Sequence, residues 1–102
     1  MAEKFETIIT RGISTTRMRD FYDIFILTTT QPFDSEVFNA ALNKTVEKRG
    51  TAEQMADING VIKMVAESPI MIDLWRRYQA KFNYAADVSW YMAIEALGKL
   101  VE

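Results

Sequence analysis

From Phe21 to Leu27 a helix would carry an apolar side chain in every direction except at Asp23. Such a segment is stable only with protein packed around it, so it belongs in the middle of a core. Immediately before it, Arg17, Arg19 and Asp20 put charge on the first turns of the same helix. Charge brought into a core carries a desolvation cost and needs either partners or a task. The rest of the chain therefore has to wrap this helix, and any site belongs at its N-terminal end.

The flanking segments supply the wrapping elements. Residues 2–11 place Phe5, Ile8 and Ile9 at helical spacing, with Gly12 as the stop. The central helix is expected over residues 15–29, with Ser14, Thr15 and Thr16 as cap candidates and Gln31-Pro32 as its end. Asp34 opens a third helix with the stripe Val37, Phe38, Ala41, Leu42, Thr45 and Val46, closed by Gly50. Thr51 and Gln54 have capping-box spacing ahead of the stripe Met55, Ile58, Ile62 and Val65. Asn59-Gly60 falls inside that stripe and leaves open whether the helix is broken in two.

Ser68-Pro69 is a start signal for a helix with Met71, Leu74, Trp75, Tyr78 and Phe82 inside and an Asp73–Arg77 pair outside. Asp87 or Ser89 opens the last helix, whose inner face is Trp90, Ala93, Ile94, Leu97 and Val101, with Glu95 and Lys99 paired outside. No stretch alternates long enough to make a strand. The expected fold is all-α, an irregular bundle of five or six short helices without a sheet, forming one domain over residues 1–102.

Composition removes several chemistries. The 102 residues include no cysteine and no histidine, which excludes disulfides, thiolate and imidazole catalysis, and the usual zinc sites. A formal net charge of −2 argues against a general nucleic-acid binder. No apolar run approaches the ~20 residues of a membrane span, so no membrane partner is expected. The lack of cysteine fits the cytoplasm. The clusters Arg76-Arg77 with Lys81, and Lys44, Lys48 and Arg49, are interleaved with acids and are expected to be mainly solvated helix faces.

On helical geometry Asp20 and Asp23 share a face, and Arg19 stands four residues before Asp23. Asp20 suits a helix N-terminus through the macrodipole alone. Asp23 lies past the first turn among aromatics. Taken alone, these residues favour a structural charge pair.

A resemblance shifts that balance. Glu3-Lys4-Phe5, then Arg11-Gly12, then Arg17-Met18-Arg19-Asp20-Phe21-Tyr22-Asp23 resemble the C-terminal half of the AbiEii/AbiGii nucleotidyltransferases, toxins of type IV toxin–antitoxin, abortive-infection systems in bacteria. That family has a Glu-Lys step on one helix and an Arg-x-Lys-Asp-x-x-Asp pattern on the next. Trp75-Arg76-Arg77-Tyr78 and Tyr84 to Trp90 are similar to its tail, mainly in apolar pattern. Lys4, Arg17, Asp20 and Asp23 match the motif positions, whereas Arg19 stands where a lysine is common. A forked guanidinium is not equivalent to a lysine's point charge.

The resemblance implies catalytic roles for Lys4, Asp20 and Asp23, and substrate contacts for Arg17 and Arg19. It implies Mg²⁺ and a nucleoside triphosphate for the intact enzyme, with no metal held by this part. It implies an RNA acceptor, such as tRNA, and a cognate antitoxin. The family's Gly-Ser turn and Asp-x-Asp pair do not occur in this chain, so it is expected to be the C-terminal part of a longer enzyme, inactive alone, whose missing N-terminal domain is a partner. Without that domain, Phe5, Ile8 or Ile9 are candidates for an exposed face through which the chain would pair as a homodimer. The alternative is a non-catalytic helical interaction module in which Lys4, Asp20 and Asp23 tie two helices together. An open rim would favour the first reading, and mutual burial the second.

Overall fold

The computed structural model describes residues 2–14 (Ile13 by its backbone), 17–30 and 34–101. Among them are six α-helices: α1 (Ala2–Arg11), α2 (Met18–Thr30), α3 (Ser35–Arg49), α4 (Ile58–Glu67), α5 (Pro69–Lys81) and α6 (Trp90–Leu100). Short 3-10 turns cover Gly12–Ser14 and Asn83–Ala85, and no strand occurs among the described residues. The architecture is the all-α irregular bundle that the periodicity demands.

Local chemistry explains most boundaries. Gly12 ends α1 with φ +52°, a left-handed conformation that favours glycine. The Asp34 carboxylate accepts from the Glu36 and Val37 amides at 2.9 and 3.3 Å, satisfying two donors at the start of α3. Gly50, φ +67°, closes that helix and donates its N–H to the Val46 carbonyl. Ser68 caps α5 with Pro69 in its first turn. Ser89, not Asp87, opens α6, its hydroxyl accepting the Met92 amide at 3.1 Å. The central helix begins at Met18, later than expected. Its proposed cap residues Thr15 and Thr16, and the stop at Gln31-Pro32, lie outside the described residues.

The fourth helix differs from expectation. Residues 52–57 form turns, and the Thr51–Gln54 capping box does not open a helix. Of residues 52–57 only Met55 is buried, so there is no continuous apolar face to hold these six residues helical. Asp57 caps instead, accepting the Gly60 amide at 3.1 Å. Asn59-Gly60 therefore sits in the first turn of α4, and the helix is not broken in two. The Asp57 carboxylate folds over Gly60 so closely that a Cβ there would collide with it.

The core gathers side chains from every helix. Phe5, Ile8 and Ile9 of α1 are 0–2% exposed, as are Phe21 and Ile24 of α2. This overturns the homodimer face expected at Phe5, Ile8 and Ile9, because these residues belong to the chain's own interior. Phe5 meets Phe38 of α3 edge-on, with ring centroids 5.5 Å apart. In α3 the row Phe38, Leu42 and partly Val46 faces inward, while Val37 and Ala41 face solvent. A helix with one main neighbour, here α1, needs only one such ridge.

Phe21 packs on Trp90 with centroids 5.1 Å apart, joining α2 to α6. Trp75 is buried, its indole N–H donating to the Val88 carbonyl at 2.9 Å. Trp90 donates to the Ala66 carbonyl at 3.1 Å, locking α6 to α4. The wrapping of α2 is one-sided: Phe25, Ile26 and Leu27 are only half-buried. On the surface, Arg77 and Asp73 pair at 3.0 Å. The Glu95–Lys99 pair does not form among the described residues.

Candidate functional site

The packing of α1 on α2 decides where the charged residues meet. Lys4 lies on α1 one turn before the buried Ile8, and Asp20 and Asp23 lie one turn apart on α2. The Lys4 Nζ reaches both carboxylates, 3.4 Å from Asp20 Oδ1 and 3.1 Å from Asp23 Oδ2. Behind them, Arg17 Nε lies 3.5 Å from Asp20 Oδ2, and Arg19 Nε lies 3.6 Å from Asp23 Oδ1. All five residues singled out from the sequence thus form one alternating chain of charge.

Burial within that chain is uneven. The Asp20 side chain is 4% exposed, Asp23 24% and Lys4 39%. The carboxylates form the floor, and the ammonium stands at a solvent-reachable rim. The hydrogen bond to Asp23 is the largest influence raising the Lys4 pKa above 10.5; desolvation opposes it, and the charges of Asp23 and Asp20 add to it. Lys4 is therefore a permanent cation at physiological pH.

Beside it opens a concavity of about 270 Å³ lined by Glu3, Lys4, Thr7, Arg17, Asp20 and Arg49. Arg49, at the end of α3, was not anticipated as a neighbour of this site. Its Nη1 donates to Glu6 Oε2 at 2.6 Å and to Thr7 Oγ1 at 3.2 Å, and Nη2 lies 3.8 Å from Glu3 Oε2. Glu6 is 2% exposed and also accepts from the Thr10 hydroxyl at 3.3 Å. The sequence signal was faint. Glu6 follows the apolar Phe5 in α1, but Arg49 lies 43 positions away.

The N-terminal ridge of α2 divides two surfaces. Arg17 lines the concavity beside Lys4 and also a larger groove of about 400 Å³ on the other side. Arg19 lines only the second of these two. There it joins Arg77 and Lys81 over Tyr78, Phe82 and Tyr84. The two arginines expected to act together on substrate thus share the larger groove, and only Arg17 also reaches the concavity beside Lys4. Tyr78, expected as core, is half-buried on the groove wall. Burial first, and a 2.7 Å hydrogen bond to the Tyr84 hydroxyl second, push the Tyr78 phenol well above its ordinary pKa.

A divalent cation does not fit the Asp20–Asp23 pair. Each carboxylate already faces two cationic groups, which a metal would have to displace. No cluster of three or more metal-ligating side chains occurs among the described residues. No described helix is long and apolar enough to cross a membrane.

One comparison with known proteins is positive. Residues 1–96 match a family model described as nucleotidyl transferase AbiEii toxin, type IV TA system. No curated protein and no solved structure matches the chain.

Proposed function

The chain belongs to the AbiEii nucleotidyl transferase toxin family, and on that premise we propose that it is the C-terminal helical part of a longer enzyme, contributing Lys4, Asp20 and Asp23 to the cleft. The enzyme moves a nucleoside monophosphate from a nucleoside triphosphate to an RNA hydroxyl, with tRNA as a suitable acceptor. An N-terminal lobe supplies the Mg²⁺ site, and a cognate antitoxin completes the system. The setting is the cytoplasm, where triphosphates and RNA are at hand. The chain alone is inactive.

The observation that carries this reading is the suspension of Lys4 between two carboxylates at an exposed rim. In nucleotidyl transfer, charge develops on phosphate oxygens, and a fixed cation stabilises it without reorganising during the reaction. Asp20 and Asp23 are positioning residues: they hold the ammonium and keep it protonated. The concavity's lining sets three cations (Lys4, Arg17, Arg49) against two carboxylates (Glu3, Asp20), which leaves one net positive charge for an incoming phosphate. Arg17, next to Lys4 in the concavity, is the second phosphate contact.

The burial of Asp20 favours a second reading, in which the network only ties α1 to α2 within a non-catalytic module. Lys4→Arg separates the two. It keeps a cation for both aspartates, so a structural role tolerates it, whereas a positioned point charge is lost. Transfer of labelled nucleotide to total tRNA by the full-length enzyme is expected to fall at least ~100-fold in Lys4→Arg while the melting temperature stays within ~3 °C. Retained transfer would favour the structural module. A reading frame that continues upstream of Met1 to a Gly-Ser turn and an Asp-x-Asp pair is expected as well.

A further inference from the structure

The groove on the far side of α2 has the composition of a different kind of site. Its floor is the outer end of an aromatic series that begins in the core. Trp75 meets Trp90 at 5.8 Å and Tyr78 at 5.4 Å; Tyr78 meets Phe82 at 4.8 Å; Phe82 meets Tyr84 at 5.4 Å. Buried at one end, the series surfaces at Tyr84, which is 47% exposed. Rings anchored this way are held rigid while still offering a face to a ligand.

Around that floor stand Arg19, Arg77 and Lys81, and no carboxylate lines the groove. Arg19 and Arg77 each have an acidic partner within their own helix, with both guanidinium side chains more than 70% exposed. The Arg77–Asp73 pair is exposed on both sides and so contributes little, and the Asp23 carboxylate beside Arg19 is also held by Lys4, so a phosphate can compete for either guanidinium. Lys81 has no carboxylate partner among the described residues and lies 5.5 Å from the Phe82 ring centroid. The Tyr78–Tyr84 bond uses one of its two O–H groups and leaves the other free to donate.

We propose that this groove is a docking site for a single strand of RNA, with a base stacked on Tyr84 and Phe82 and the phosphates on Arg19, Arg77 and Lys81. Exposed aromatic faces bordered by cations suit unpaired bases on a charged backbone, and the spare phenol O–H suits a ribose 2′-hydroxyl. In choosing RNA the proposal rests on the acceptor named above. Strand binding is measured without any nucleoside triphosphate, so it stands or falls apart from chemistry at Lys4.

The test is fluorescence anisotropy of a labelled, unstructured RNA dodecamer with the 102-residue chain. Three phosphate contacts give a log–log salt slope near −2 and about a 20-fold loss of affinity between ~50 and ~200 mM salt. Tyr84→Ala is expected to weaken binding at least ~5-fold. Arg77→Ala with Lys81→Ala should reduce the slope by about one to two. Lys44→Ala with Lys48→Ala, the same charge change on α3, should leave affinity within about two-fold, because ~8 Å screening isolates it. DNA of the same sequence should bind more weakly, and Tyr78→Phe with Tyr84→Phe, which removes both phenol O–H groups, should bring RNA to the DNA level while keeping the stack. The proposal is overturned if Tyr84→Ala or the Arg77/Lys81 pair leaves binding unchanged, or if DNA binds equally. It is overturned as well if a nucleoside monophosphate or an acidic peptide displaces the strand at its own Kd, which would identify a small-molecule pocket or a protein surface.

Discussion

Lys4→Met is the most informative single change in this chain. Methionine keeps the helical propensity and apolar stem of lysine and removes only the ammonium. Asp20, with 4% of its side chain exposed, then relies on Arg17 at 3.5 Å, and Asp23 relies on Arg19 at 3.6 Å. Breaking an ion pair with both partners buried costs ~3–5 kcal/mol, and an exposed pair is worth less than ~1. Here one partner is buried and the other 39% exposed, and a second cation remains, so about 1.5–2 kcal/mol should be lost. For a domain of this size that lowers Tm by roughly 6–16 °C. Urea titration followed by circular dichroism measures the loss directly. A double-mutant cycle with Asp20→Asn should return a coupling of about 1 kcal/mol, the double variant being less damaged than the sum of the singles. A Lys4→Met loss below ~0.5 kcal/mol together with an additive cycle would refute the claim that Lys4 holds the buried carboxylate.

Three further outcomes follow from the same packing. Arg49→Met should cost about 2–3 kcal/mol in urea titration, because Glu6 is left buried with Thr10 as its side-chain partner; Glu6→Gln in that background should restore part of it. Phe5→Asp should abolish the cooperative thermal transition, since it loses a fully buried ring and puts a carboxylate against Phe38; a folded monomer would contradict the assigned core. The Lys4 pKa is raised in the folded state, so its contribution is complete below 10.5 and disappears as pH climbs through the higher folded value. The stability gap between the wild-type chain and Lys4→Met should therefore be level from pH ~7 to ~9 and close above ~10.5.

What could be read from the chain in advance was local. Gly12, Asp34, Gly50, Ser68-Pro69 and Ser89 act on the backbone within a few residues, and all five bound helices as their chemistry requires. Thr51 and Gln54 had an equally good local signature, yet no helix forms because the residues after them have too little to bury. The Thr51 hydroxyl is instead buried without a hydrogen-bond partner among the described residues. The buried stripe on α3 is narrower than its periodicity for a similar reason, with Val37 and Ala41 left exposed. Periodicity marks which residues can face inward, while the number of neighbouring helices sets how many do.

The candidate site divides along the same line. That Lys4, Asp20 and Asp23 belong together was legible through motif spacing, since two aspartates one turn apart share a face whatever surrounds them. Arg17, just ahead of α2, borders both the concavity beside Lys4 and the larger groove, while Arg19, inside the helix, borders only the groove, a division that appears once neighbours pack on either side. Arg49 reached Glu6, and Tyr84 reached the groove beside Arg19, through contacts far apart in the chain. By itself the sequence determined an all-helical chain, the order of its helices and most of their ends, because capping and amphipathicity are short-range. Tertiary packing alone decided which charges are buried, which are offered to solvent and which aromatic rings surface, because desolvation depends on how every helix covers the next.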